Sequence, residues 1–495
     1  MSDPDDLNPY LSQSGVTADL SSLVYSYLIV ADNRGRLIGD IATGVPSLAN
    51  GGISRDGRTY VYHLRPNVTW QDGVPFTASD VVASWQAVVN PHNNTVDQRG
   101  YDRVRSIEIA GPMTVRVHLR DRYPPFVSRF FTDESGKPVL PAHILARSEF
   151  GTGELSTHPV GTGPFRFVSW TRGDRIVLTR FDPYFKGRPK LSRIEMHFIP
   201  DAQTTAAELE VHQIDLIPTS QAALLDRYRS INGVVTETAS MNGQESLEIN
   251  VRKPGLRDPA VRRALAITVP YYTILHDVER NVGSEARNVL PRTALGYEAL
   301  PARTYDPAAA RNLLERAGWR LGDDGVRAQN NVRLSFTLLV LAGFTSADRI
   351  ALLLQSALKG VGIQLTIKSY SLRTMYAPSG PLSSGSFDLA LSSEALYWDP
   401  DLYDILACDR RYPRGQNIYG FCDSRLDALE RAGLQTDEPS RRAAIYRRAS
   451  RLIWSEVPYV PLFGGRLLIV RSSDLRHYLV RPTSNLGWNA WQWDI

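Results

Sequence analysis

Residues 333–369 run strand, helix, strand, and that order narrows the folds open to the chain. Residues 333–341 (Arg-Leu-Ser-Phe-Thr-Leu-Leu-Val-Leu) form an apolar strand. Residues 347–359 carry an apolar helical face that stops at Gly360, and 362–369 read as a second strand. Two strands joined through a helix pair in parallel by a right-handed crossover, so the second half of the chain contains parallel sheet packed under helices. The same half offers further helices. Residues 258–267 have Pro259 in the first turn, where a missing N–H costs nothing; 306–317 are capped by Asp306 and stopped by Gly318; 441–455 are amphipathic. Residues 460–463, 466–471 and 487–494 read as strands.

The first part of the chain has a different pattern. Period-two alternation of β-branched and aromatic residues at 59–65, 104–109 and 114–119 predicts antiparallel strands. Between them Thr77 caps a helix running to Val89, with Asp80 near the positive end of its dipole. Residues 20–30 read as a short amphipathic helix entering a buried turn, 203–212 as a helix, and 175–180 and 193–198 as strands around a Pro/Gly turn at 182–189. No Gly/Ser or Pro-rich tether separates the two patterns. Lobes joined through short strands suit a hinged α/β protein.

Several functional classes are excluded by what is missing. The formal charge is +4 on 495 residues, with the basic residues scattered, which is no footprint for nucleic acid. No apolar run approaches the ~18 residues of a membrane span, and the opening Met-Ser-Asp-Pro-Asp-Asp is neither the charged nor the apolar region of a secretory leader. Gly161-Thr-Gly163 lacks the third glycine of a dinucleotide loop and is followed by Pro164. There is no nucleophile elbow, P-loop or zinc-protease motif, and the histidines never take metal-ligand spacing. No catalytic residue, metal or cofactor is therefore expected. The cysteines, Cys408 and Cys422, flank a Gly- and Pro-containing loop and are open to two readings, free thiols or one disulfide of an oxidising compartment. The 9 Trp and 22 Tyr include several in loops, among them Trp70, Trp170, Tyr397 and Trp398; together they suit a cleft closing on a small amphipathic guest.

Six segments in order resemble the family 5 extracellular solute-binding proteins, the dipeptide and oligopeptide receptors of ABC importers. They are Leu7-Asn-Pro-Tyr10, residues 59–82 with Trp70-Gln-Asp-Gly73, residues 158–167 continuing to 182–187, residues 257–265, residues 305–318 and residues 457–462. The resemblance implies a type II periplasmic-binding-protein-like fold, with two large lobes and a hinge plus an extra α+β lobe. Lobe I would comprise 1–38, 160–248 and 477–495, the extra lobe 39–159, and the closing lobe 249–476. It also implies that the signature around Trp70 is architectural.

In relatives the ligand backbone lies like an added strand between lobes, a β-augmentation mode. Carried over, this assigns ligand contacts to Gln13, Ser14 and Gly15. The loop at 392–401 (Ser-Ser-Glu-Ala-Leu-Tyr-Trp-Asp-Pro-Asp) departs from the family pattern, with Leu396 standing where a carboxylate holds the peptide's amino terminus. Glu394 and Asp399 are the available substitutes, with Tyr397 and Trp398 as aromatic walls; a buried ammonium needs such a partner. The resemblance further implies a Cys408–Cys422 loop disulfide, a monomer that delivers peptides to membrane permease subunits, and an extracytoplasmic location with lipid anchoring through a removed N-terminal segment. The same fold could hold an oligosaccharide, haem or a metal chelate. A secreted hydrolase and a sensory receptor are the readings from other classes.

Overall fold

A computed structural model describes residues 3–12, 14–219, 222–377, 379–396, 398–411, 415–481 and 486–495, with the side chains of Ser240, Glu394 and Ala395 outside the description. The chain divides into two compact units. The first comprises 1–219, 226–239 and 469–495, and the second 220–225 and 240–468. Two long strands, Val234–Ile249 and Tyr459–Ser472, pass from one unit into the other.

Within the first unit the expected antiparallel strands form. Thr59–His63, Thr114–Leu119 and Val104–Gly111 make one three-stranded sheet with the middle element of that order at its centre, and Phe165–Thr171, Arg175–Arg180 and Arg193–His197 make another. Helix Ala78–Val89 starts after Thr77, whose N–H donates to the Asp80 carboxylate at 2.7 Å. That carboxylate also accepts from the Ala142 N–H at 2.9 Å, so one acidic side chain closes a helix end and holds the next segment. The N-terminal helix lies at Gly15–Val24, earlier than the 20–30 read from periodicity, and 29–31 form a short strand instead.

The Gly161-Thr-Gly163 segment has a packing role. Gln71 Nε2 donates to the carbonyls of Val24, Gly163 and Phe165, while its Oε1 accepts from Gly161 N–H. A Cβ at Gly161 would lie 1.9 Å from the Val24 carbonyl oxygen, so glycine is required by close backbone approach. Trp70, in the signature expected to be architectural, is fully buried against Phe76 with ring centroids 5.6 Å apart. Trp170 donates to Asp3 Oδ1 at 2.8 Å and stacks under the Arg172 guanidinium.

In the second unit the parallel pair is present: Ser335–Leu341 runs alongside Gln364–Tyr370, connected by helix Thr345–Lys359. That helix buries Ile350, Ala351, Leu354 and Leu358, the spacing of one helical face, against Leu338, Val340 and Leu365 of the sheet. Leu389–Ala395 joins the sheet parallel to Ser335–Leu341 and antiparallel to Gly243–Ile249. Residues 459–472 form one continuous strand where two were expected. Arg262, buried, donates to the Glu456 carbonyl at 3.0 and 2.9 Å and so satisfies the C-terminal end of helix Pro439–Glu456. Residues 487–494 are not the expected strand. A single helical turn, Ala490–Gln492, replaces it, because Asn489 draws the chain round by donating to His477 O and accepting from Trp493 Nε1.

Candidate functional site

The strand Val234–Ile249 carries an unusual burden in the second unit. Gln244, Ser246 and Glu248 alternate along it and share one face, Asn250 follows just past its end, and each of the four is at most 6 % exposed. Buried polar groups need partners. Asn250 Nδ2 donates to the carbonyls of Gly385 and Phe387, and Ser392 Oγ, from the neighbouring strand, donates to Glu248 Oε1 at 2.8 Å. Gln244 Nε2 donates to the Leu290 carbonyl at 2.9 Å, while Gln244 Oε1 is buried without a donor.

At the Gln244 end of this stripe the second unit has a narrow cleft of ≈ 20 Å³. Its floor includes Gly243, Gly464 and Gly465, where two strands offer backbone without side chains, and its walls include Ser284–Arg287, Arg292, Thr293 and Tyr297. The glycines matter for space: a Cβ at Gly464 would fall 2.6 Å from Ser284 Oγ. Arg287 is half-buried and oriented by its Nε, which donates to the Leu300 carbonyl at 2.9 Å. Arg292 and Glu285 are exposed. Among the described residues none of these three forms an ion pair. A half-buried guanidinium outside any ion pair can take up an anion.

Glu245 points away from the Gln244 face and is held above the usual carboxylate range by burial, opposed by its hydrogen bond with Ser393. Glu279 is pushed up to about 7, by burial first and by the Glu245 charge second, with Arg349 opposing. The first unit has a wider depression of ≈ 440 Å³ beside Arg188, Lys190, His477 and Trp491. Its cations are already matched, Arg188 with Asp182 at 3.2 Å and Lys190 with Asp494 at 3.5 Å, which makes it a weaker anion site than the cleft of the second unit.

The loop at 392–401 is now placed. Leu396 is in the core with Tyr419, Tyr446 and Ile453, its N–H on the Asn242 carbonyl at 2.9 Å, so no charged group could stand there without rebuilding that core. Asp399 is 3 % exposed and ion-paired with the equally buried Arg442, which also donates to the Tyr446 hydroxyl at 3.0 Å. Burial alone would lower the Arg442 pKa; the Asp399 charge more than offsets this and holds it above the ordinary range. Asp399 is thus committed to a cation of its own chain, which argues against its use as the ligand's anchor. The Trp398 carbonyl accepts from Leu295 N–H at 2.7 Å. Glu394 lies opposite Gln244 in the strand register, its side chain outside the description, and Tyr397 and Gln13 lie outside the described residues. In the first unit Ser14 precedes the N-terminal helix, with its N–H on Ser12 Oγ and its carbonyl accepting from Ala18 N–H; Gly15 is exposed at the first turn. Cys408 and Cys422 form the disulfide.

Comparison with known proteins decides the family. The family model for bacterial extracellular solute-binding proteins, family 5 (middle region) matches residues 43–407. The chain belongs to this family. This family 5 protein is 26% identical over 496 residues to the glutathione-binding protein GsiB of Salmonella paratyphi A, covering 98% of the chain and 91% of that relative. Among solved structures it resembles NikZ from Campylobacter jejuni in complex with Ni(L-His), at TM-score 0.84, 24% identity and coverage of 99% and 97%. It also resembles the oligopeptide-binding protein AppA from Bacillus subtilis in complex with a nonapeptide, at TM-score 0.84, 23% identity and coverage of 100% and 97%. The fold is that of type II periplasmic binding proteins. Family 5 members are the non-enzymatic substrate-binding proteins of ABC importers and deliver ligands to permease partners. No helix among the described residues is long and apolar enough to cross a membrane.

Gln244, Arg287 and Arg292 were not legible as site residues. The one sequence sign was Gln244-Glu-Ser-Leu-Glu-Ile-Asn250, where polar residues recur at every second position on either side of Leu247 and Ile249.

Proposed function

We propose that this family 5 protein captures small peptides outside the cytoplasmic membrane and hands them to an ABC permease. The observation that carries the reading is the cleft of the second unit, where glycine backbone from two strands lies beside unpaired arginines and a buried amide acceptor. The arginines suit a ligand's carboxylate. The likeness to a glutathione-binding protein supports a peptide with free carboxylates. Closure would be a hinge motion at the strands Val234–Ile249 and Tyr459–Ser472, with ligand selecting the closed state. Ser14 and Gly15 with Gln13, and Glu394 with Tyr397 and Trp398, are the further ligand contacts we propose. The protein acts as a monomer with residues 39–159 as a separate lobe, and a lipid anchor on a removed N-terminal segment holds it at the membrane.

A metal chelate of an amino acid is the second reading. It is favoured by the likeness to NikZ with Ni(L-His), since such a chelate also presents carboxylates to arginine. Native mass spectrometry of the purified protein separates the two, because a retained guest appears as a mass increment that is either a peptide or metal-containing. Compaction measured by X-ray scattering on adding tripeptides supports the peptide reading. An unchanged profile with tripeptides of every charge refutes it.

A further inference from the structure

Glu430, on the helix Ser424–Leu434 of the second unit, is 1 % exposed, and both of its carboxyl oxygens are buried without a hydrogen-bond partner. The groups around it are mostly acidic. Asp427 lies one turn back on the same helix and accepts from the Cys408 N–H at 3.1 Å. The facing segment brings Asp401, 5 % exposed, and Asp409, which accepts from the Tyr403 hydroxyl. Asp437 and Glu438 lie in the connection to the helix Pro439–Glu456, which Glu438 caps. The cations here are committed elsewhere. Arg410 and Arg431 turn to Asp409 at 3.9 and 3.5 Å, and Arg442 is held by Asp399 and the Tyr446 hydroxyl. Among the described residues no three ligating side chains converge to hold a metal ion. A buried carboxyl with no counter-charge takes its proton instead. Burial first, then the Asp401 and Asp427 charges, hold Glu430 well above the usual carboxylate range, with Arg431 opposing.

We infer that Glu430 is a proton-held latch: as the neutral acid it lets helix Ser424–Leu434 close over residues 399–409, and as the carboxylate it releases them. The linkage fixes both sign and slope. In the opened segment Glu430 titrates near the ordinary 4.5, so above that pH opening sheds one proton. The closed form is fully favoured below pH 4.5 and loses about tenfold per pH unit above it, until Glu430 ionises in place. The latched segment continues from Trp398, whose carbonyl holds Leu295 between the cleft residues Thr293 and Tyr297. Deprotonation therefore loosens one wall of the proposed site. That tie to the ligand rests on the peptide reading above; the latch itself does not.

The test is hydrogen-exchange mass spectrometry of the full, ligand-free chain at pH 6, 7 and 8, corrected for intrinsic exchange, on peptides from residues 398–411 and 424–437. Opening of these peptides should rise about tenfold per pH unit in the parent, about a hundredfold in all. Glu430→Gln, which cannot ionise, should flatten that rise and leave exchange of helix Thr345–Lys359 unchanged. Glu430→Met, of similar volume, carries the test if Glu430→Gln does not fold. Infrared difference spectra at pH 7 should show a protonated-carboxyl band in the parent that the variant lacks. Tripeptide affinity should fall between pH 6 and 8 in the parent and stay level in Glu430→Gln. Opening that is independent of pH in the parent, or that rises equally in the variant, overturns the latch whatever the protein binds. Equal affinity profiles in parent and variant overturn its tie to the cleft. Binding of no tripeptide at any pH overturns the peptide reading and leaves the exchange result to decide the latch.

Discussion

Asp399→Asn separates a ligand anchor from a structural ion pair. In the folded protein Asp399 and Arg442 are 3 % exposed each, and Tyr446 is the other partner of the guanidinium. Arg442 Nε is also buried without a partner, so the guanidinium depends on Asp399 and the Tyr446 hydroxyl. Breaking a buried pair by removing one member costs about 3–5 kcal/mol. Asparagine retains one acceptor oxygen, which places the expected loss at the lower end, about 3 kcal/mol. With a urea m-value of about 3 kcal/mol/M, the unfolding midpoint of the second unit falls by roughly 1 M. Hydrogen-exchange mass spectrometry of peptides from residues 389–411 and 439–456 along a urea series reads this directly. The double variant Asp399→Leu/Arg442→Leu should recover at least half of the loss, because neither charge is then left buried alone. Ligand affinity of the folded Asp399→Asn protein should stay within about twofold by the same logic, whereas Glu394→Gln should weaken peptide binding more. An unchanged midpoint with at least tenfold weaker binding would refute the structural assignment and make Asp399 the anchor.

The neighbouring carboxyls of Glu245 and Glu279 predict a pH dependence. Glu279 is raised from 4.5 to about 7 in the folded state, so its protonated form is favoured by folding. Its contribution is fully present below pH 4.5 and is lost as pH rises to about 7, a difference of about 3 kcal/mol. Glu279→Gln should remove that slope, giving equal stability near pH 4.5 and greater stability than the parent at pH 8; parallel urea curves at the two pH values would contradict it. Opening the Cys408–Cys422 bridge, which spans 14 residues, should cost about 3 kcal/mol, seen as a lower melting temperature for Cys408→Ser/Cys422→Ser and for the parent under reductant. Gly161→Ala should destabilise by at least about 2 kcal/mol because the new methyl meets the Val24 carbonyl, while Gly44→Ala, with nothing within 4 Å of its Cβ, should leave the melting temperature unchanged.

Local chemistry settled much of this protein in advance. Periodicity, helix caps and the Asp-Pro starts at 258–259 and 306–307 placed most elements within a few residues, because the residues involved contact one another along the chain. The parallel pair followed from the same local pattern and a handedness rule. The order of motifs pointed to the family. Where neighbours in space are far apart in sequence, that information was lacking. The strand Leu389–Ala395 lies between Gly243–Ile249 and Ser335–Leu341, and only that pairing puts Glu394 opposite Gln244. Residues 487–494 read as a strand, yet Asn489 turns the chain first. Asp399 looked like an anchor because its partner, Arg442, lies on a distant helix. The cleft arises in the same way, from glycines at 243 and 464–465 brought beside arginines at 287 and 292. A side chain's type is written in the sequence, but whether its charge or amide is already satisfied depends on what folding packs against it.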